Sequence, residues 1–190
     1  MALDDLVDQI ENGTKAGFYF LSLSGALTIP DICGAIASPD GRASGKRYAD
    51  WFETWVRPVH HQNDYPSGQF PNHLSDRDRA DVYPLTGKAC WNFRCKMLHQ
   101  ARLDEIAQEL PYNRVLFLEP NAIHFRSHYD TLDDALCIDV EFFCKDVAKG
   151  YRRWKRATAG EEVVQQNLER TVRRFPDGIP PYHRGSPIIG

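Results

Sequence analysis

Apolar residues recur at threes and fours along most of this chain, a period that predicts helices. Leu3, Leu6, Val7 and Ile10 mark a short amphipathic helix; Gly13 interrupts it, and Thr14 opens a second, more apolar helix through about Leu27. Thr28-Ile29-Pro30-Asp31 reads as a fresh helix start. Thr28 would cap it, Pro30 would sit where its missing N–H costs nothing, and Asp31 would complement the positive helix end. A cap is the plainer role for Asp31, ahead of any catalytic one. Ser38-Pro39-Asp40-Gly41 has the chemistry of a turn. Tyr48, Trp51, Phe52, Trp55 and Val56 then form one aromatic helix face, read as core rather than as a platform for stacking bases. From Leu85 to Arg102 comes another helix, capped by Thr86 and striped by Ala89, Cys90, Phe93 and Met97.

Beyond Pro111 the period shortens. Val115–Leu118 and Ile123–Arg126 flank Glu119-Pro120-Asn121-Ala122, which reads as a β-hairpin with a Pro-Asn turn. Leu136–Phe143 suits either a third strand or a helix start, and Val140, Phe143, Val147, Tyr151 and Trp154 favour helix from about Asp139 onward. The expected fold is mainly α, of the α+β kind. It is a single domain over residues 1–175 with five to seven helices and a small β-hairpin or three-stranded sheet near 114–140. Residues 176–190 form an extended, proline-rich tail that packs on a neighbour or stays mobile.

Composition changes this picture little. At 190 residues, 42% hydrophobic and 26% charged, the chain is an ordinary globular one. Its net charge of -3 is unevenly spread: from Tyr151 onward there are eight Lys or Arg and four Asp or Glu, which leaves 15 basic and 22 acidic residues before it. Such a split marks an anionic partner or, more simply, attraction between two parts of one fold. Within the basic end, Arg152, Arg153, Lys155 and Arg156 are interleaved with Tyr151 and Trp154. These cations are candidate substrate-binding residues for phosphates, although a helix C-terminus also favours cations. Cysteines at 33, 90, 95, 137 and 144 lack any paired C-x-x-C spacing, so reduced thiols are expected, with no disulfide framework and no zinc ribbon. An acidic N-terminus argues against a secretory signal. The apolar run Ala16–Ile29, at 14 residues, is too short to span a bilayer. The expectation is a cytoplasmic protein with no membrane span and no cofactor.

Candidate chemistry centres on Arg94 and His99. This R-x4-H spacing on a predicted helix resembles the signature of the HEPN superfamily. More narrowly, PDICGAI at Pro30–Ile36 and RCKMLH at Arg94–His99 resemble a group of small bacterial proteins, a likeness that covers roughly the first hundred residues and names no activity. The HEPN resemblance implies a compact helical domain whose Arg and His sit at a cleft, often between two protomers, and act without metal on a phosphodiester and its 2′-hydroxyl. It also implies RNA as a partner, in a toxin, defence or RNA-processing setting with a cognate protein partner; other members only bind. Family nucleases commonly carry a polar residue directly after the Arg, where this chain has Cys95. Five residues apart on a helix means about 140° around the axis and ~7.5 Å along it. Arg94 therefore has to curl around to meet His99, or a second protomer has to supply the complement, which favours a homodimer. Asn92, seven residues before His99, is the third candidate of the site.

Two other readings stand beside this one. The same fold can serve as a non-catalytic interaction module, with Cys95 the mark of a lost active site. Alternatively, His60, His61, Asp64 and His73, within the irregular stretch 60–84, offer metal-capable side chains for a metal-dependent hydrolase, though their spacing matches no standard site. His124 and His128 read as ordinary polar-face residues.

Overall fold

The computed structural model describes residues 2–57, 85–100, 112–120 and 128–190. It is mainly helical with a small mixed sheet, as the sequence pattern predicts. Helix α1 (Ala2–Lys15) buries Leu3, Val7 and Ile10 and carries Asp4 and Asp5 in its first turn. Gly13 lies within α1, and the helix stops at Gly17 instead. There the N–H of Phe18 bonds to the Gly13 carbonyl (2.8 Å), the N–H of Gly17 bonds to that of Thr14 (3.1 Å), and Gly17 takes φ +80. This pair of bonds satisfies the last carbonyls of α1 and needs a left-handed residue, which glycine supplies without strain.

Helix α2 runs unbroken from Tyr19 to Ile36, with Pro30 inside it. The expected restart at Thr28 is absent because the Thr28 hydroxyl bonds back to the Gly25 carbonyl at 2.7 Å rather than forward to free N–H groups. Burial overrides the local signal: Ala26, Leu27, Ile29 and Cys33 are wholly inaccessible. The continuous helix has 18 residues and a mean hydropathy of 1.4, so by length and composition it is able to cross a membrane, unlike the shorter run read from sequence. It packs against α1, α3 (Gly45–Trp51), α4 (Gly87–Gln100) and α5 (Val140–Ala157). A helix that is apolar nearly all round suits a site enclosed on several sides.

Ser44 caps α3 by accepting from the Arg47 N–H, and Thr86 caps α4 by accepting from that of Ala89. After α3 the helix widens into a π turn over Phe52–Val56, where the N–H of Arg57 reaches back five residues to the Phe52 carbonyl. Strands β1 (Arg114–Leu118), β2 (Asp130–Leu132) and β3 (Ala135–Asp139) form a sheet in the order β1-β3-β2. β1 runs parallel to β3, from Arg114 opposite Ala135 to Leu118 opposite Asp139, while β2 is antiparallel to β3. The hairpin partner expected at Ile123–Arg126 lies outside the described residues. Asp139 ends β3 and caps α5, accepting from Glu141 and Phe142, so the strand and helix alternatives for this stretch are both realised, one after the other. Phe117 bridges Phe93 and Phe143, each at a centroid distance of 5.1 Å, and joins the sheet to the helices.

Helix α6 (Glu162–Glu169) returns to the end of α2, where the Asn167 amide donates to the carbonyls of Ile36 and Ser38, both at 2.9 Å. The tail doubles back on itself through antiparallel β4 (Arg174–Phe175) and β5 (Ile188–Ile189).

The contact between α3 and α4 depends on Gly87, where an added Cβ would meet the Ala49 carbonyl oxygen at 2.4 Å. Gly87→Ala is expected to lower stability by about 1–3 kcal/mol in chemical denaturation. Gly160, which has nothing within 4 Å of such a Cβ, serves as the control. Gly160→Ala should be neutral or stabilising by up to about 1 kcal/mol.

Candidate functional site

Asp31 is the single charged residue of α2 and is only 8% exposed. An ionised carboxylate in such a place requires a counter-charge. α4 supplies it: Nη2 of Arg94 lies 2.6 Å from Oδ2 of Asp31. The contact is close but poorly aligned, so neither carboxylate oxygen receives a well-directed hydrogen bond. Burial holds the Asp31 carboxyl above the usual carboxylate range, against the opposing pull of Arg94.

The other arm of the guanidinium turns outward. Nη1 of Arg94 lies 2.7 Å from Nε2 of His99, which is exposed in the last turn of α4. The long Arg side chain thus spans the offset within one chain, and the convergence of the pair does not itself demand a second protomer. A guanidinium only donates, so Nε2 of His99 is the acceptor and the ring proton sits on Nδ1. Cζ of Arg94 also lies 5.1 Å from the centroid of the Trp91 ring, which packs in turn on Tyr48 at 5.2 Å. Ion pair, histidine and indole together fix the guanidinium from three sides.

Two neighbours are chemically quiet. The Tyr48 hydroxyl and Cys90 thiol lie 3.2 Å apart in the core. Burial pushes the Cys90 thiol up to about 12 and the Tyr48 hydroxyl well above its ordinary value, so neither supplies an anion at neutral pH. Cys95 is half-buried, its sulfur 3.9 Å from Nη1 of Arg94. Asn92 is half-buried on the same helix, two residues before Arg94.

The basic cluster is placed elsewhere. Arg152 forks onto Glu11 at 2.9 and 2.5 Å, and Lys155 contacts both oxygens of Asp4 at 2.7 and 2.9 Å. The Tyr151 hydroxyl also donates to Asp4, at 2.9 Å. The Arg152 hydrogen bonds outweigh burial and lower the Glu11 pKa. Burial raises that of Asp4, but the bonds from Lys155 and Tyr151 prevail and lower it. Arg153 is half-buried, with Nη1 enclosed and lacking an acceptor among the described residues, and Arg156 is exposed. Trp154 is 2% exposed, so it packs rather than offering a stacking face to bases. The structure therefore brings Arg94 and His99 together with Asp31, and commits Arg152 and Lys155 to α1.

His60, His61, Asp64, His73 and His124 lie outside the described residues. Among the described residues, no three or more His, Cys, Asp or Glu side chains are grouped to hold a metal ion. His128 is half-buried against Tyr129 and Phe142, with Nε2 3.5 Å from the buried carboxylate of Asp146.

Asp31 is the member of this cluster that sequence reasoning set aside as a helix cap. Its signal was a lone charge inside an apolar run, masked by the resemblance of Thr28-Ile29-Pro30-Asp31 to a helix start.

Arg94→Ala leaves Asp31 buried without its counter-charge and is expected to cost about 3 kcal/mol at neutral pH. Because the Asp31 pKa is raised in the folded state, the cost should be smallest below about 3.8, where the carboxyl is protonated folded or unfolded. It should grow as pH rises through the raised value. Adding Asp31→Asn should restore part of the loss. Urea unfolding from pH 4 to 8 checks this, and a loss that does not vary with pH would contradict it.

No family model, curated protein or solved structure matches this chain.

Proposed function

We propose that the protein binds RNA phosphodiesters at Arg94 and His99 and cleaves them without a metal. The observation that supports this reading is the 2.7 Å contact between Nη1 of Arg94 and Nε2 of His99, on a guanidinium already held from behind by Asp31.

The chemistry follows from what each group can do. A guanidinium binds two phosphate oxygens in a fork and stabilises the charge that develops on phosphorus. An arriving phosphate takes over the donors of Arg94 and releases Nε2 of His99. That nitrogen then accepts the proton of the 2′-hydroxyl as the 2′-oxygen attacks phosphorus. The 5′-oxygen leaves with its electron pair and takes a proton from water, so the products end in a 2′,3′-cyclic phosphate and a 5′-hydroxyl. Asp31 serves as a positioning residue: it holds Arg94 and does not reach the substrate.

On this reading the setting is a bacterial toxin, defence or RNA-processing system with a cognate partner, and the protein works in the cytoplasm, as a homodimer if the cleft is composite. The same contacts also suit a non-catalytic module in which Arg94 is a structural ion-pair partner. One pair of assays separates the two. Cleavage of single-stranded RNA should persist in excess EDTA and leave cyclic phosphate ends. His99→Ala should lower the rate by about 10² to 10⁴, and Arg94→Lys should rescue little of the loss in Arg94→Ala. His99→Ala should leave the thermal midpoint unchanged, since the side chain is exposed. Wild-type protein that binds RNA without cutting it would reduce the reading to binding alone, and protein that neither binds nor cuts would refute it.

A further inference from the structure

At the bend between α1 and α2 the large apolar side chains face outward. Phe18, Phe20 and Leu21 are 60%, 69% and 69% exposed. No other stretch of four described residues holds more than one large hydrophobic side chain so exposed. From Leu23 onward the large apolar side chains of α2 are buried or packed against its neighbours, so the exposure belongs to the bend alone. Gly17, at its apex, takes φ +80, and a Cβ there would meet nothing within 4 Å. The three side chains therefore stand on a convex tip and not in a groove. They share no residue with the Arg94–His99 site. A contiguous apolar patch of this kind marks a contact with something outside the fold.

Area and charge define what that is. Two phenyl rings and a leucine at these exposures present on the order of 400 Å². A stable protein pair buries about 800 Å² on each partner, so the tip is too small to hold a second copy by itself. A lipid surface needs no matching shape, because it deforms around a convex tip and takes up each side chain separately. Charge points the same way. Residues 12–30 include no acidic side chain, and Lys15 is exposed with no ion pair among the described residues. The acids on the elements beside it are engaged: Asp8 and Glu11 share Arg152, and Glu141 holds Lys145. Phe18 is the N-cap of α2, yet its ring accepts nothing from the first N–H groups, and the first turn has no acidic residue. The positive end of α2 is thus left open near Lys15, an arrangement that suits a phosphate. Phenyl rings flanked by positive charge match the headgroup layer of an anionic bilayer. We infer that the α1–α2 bend docks the protein on an anionic phospholipid surface, with Phe18, Phe20 and Leu21 entering the headgroup layer and Lys15 meeting lipid phosphate.

Flotation of the full chain with vesicles reads this directly. One set is pure phosphatidylcholine; the other mixes phosphatidylcholine and phosphatidylserine in equal parts. The protein should float with the mixed vesicles and bind the neutral ones at least about tenfold more weakly. Phe20→Gln combined with Leu21→Gln should lower binding to the mixed vesicles at least about tenfold. The thermal midpoint of that variant should not move, because both side chains are exposed. Lys15→Gln should weaken binding to the mixed vesicles about two- to fivefold and leave the neutral ones unaffected. Failure to float with the mixed vesicles would overturn the inference, as would equal binding to both sets. Undiminished binding by the folded double variant would overturn it too. A dimer in light scattering that the double variant dissociates would overturn it in favour of a second copy as the occupant.

Discussion

Placing an ionised carboxylate inside a helix that is otherwise apolar imposes a demand that only another buried charge meets. Asp31 makes that demand from α2, the helix that α1, α3, α4 and α5 all touch. Arg94 answers it from α4 and is thereby held at a fixed depth, with one arm inward and one toward His99. The register of α4 against α2 is tied to this pair, since rotating either helix would leave an unpaired charge in the core. Structure and candidate chemistry thus rest on the same guanidinium. Its outer arm is preorganised because its buried arm is held by Asp31.

The second organising force is the partition of charge. The acidic α1 and the basic end of α5 meet through Asp4, Glu11, Arg152 and Lys155, so part of the contrast in the sequence is an internal one. These pairs are partly exposed, and each adds little by itself. Their effect is to orient α1 along α5 once Leu3, Val7 and Ile10 have drawn it to the core. Carboxylates with lowered pKa values hold this seam above the ordinary carboxylate range and release it as pH falls through those values.

How much of this was legible beforehand depended on the kind of signal. Helical period located the aromatic face from Tyr48 to Val56, the cap at Thr86 and the switch into α5 at Asp139, because each of these is decided within a few residues. The end of α1 was misplaced, since Gly13 and Gly17 look alike in sequence and only the latter has the left-handed backbone. Pro30 was misread because local chemistry favours a helix start while enclosure by neighbouring helices favours continuity, and enclosure is a tertiary property. The parallel pairing of β1 with β3 was invisible for the same reason: the short-range rule joins neighbouring strands, and this partner lies beyond a further strand. Within the site, Arg94 and His99 were singled out by a family resemblance rather than by periodicity, whereas Asp31 joined them only through the fold, 63 positions away from Arg94 in the chain.

The first N–H of α4 has a distant partner: Gly87 donates to Oε1 of Glu53 at 2.6 Å, and Glu53 also holds Arg57. The residue that follows the π turn and the first residue of α4 are therefore fastened to the same side chain. One carboxylate thus spans two elements, so a change at Glu53 is felt at the π turn and at the start of α4 together.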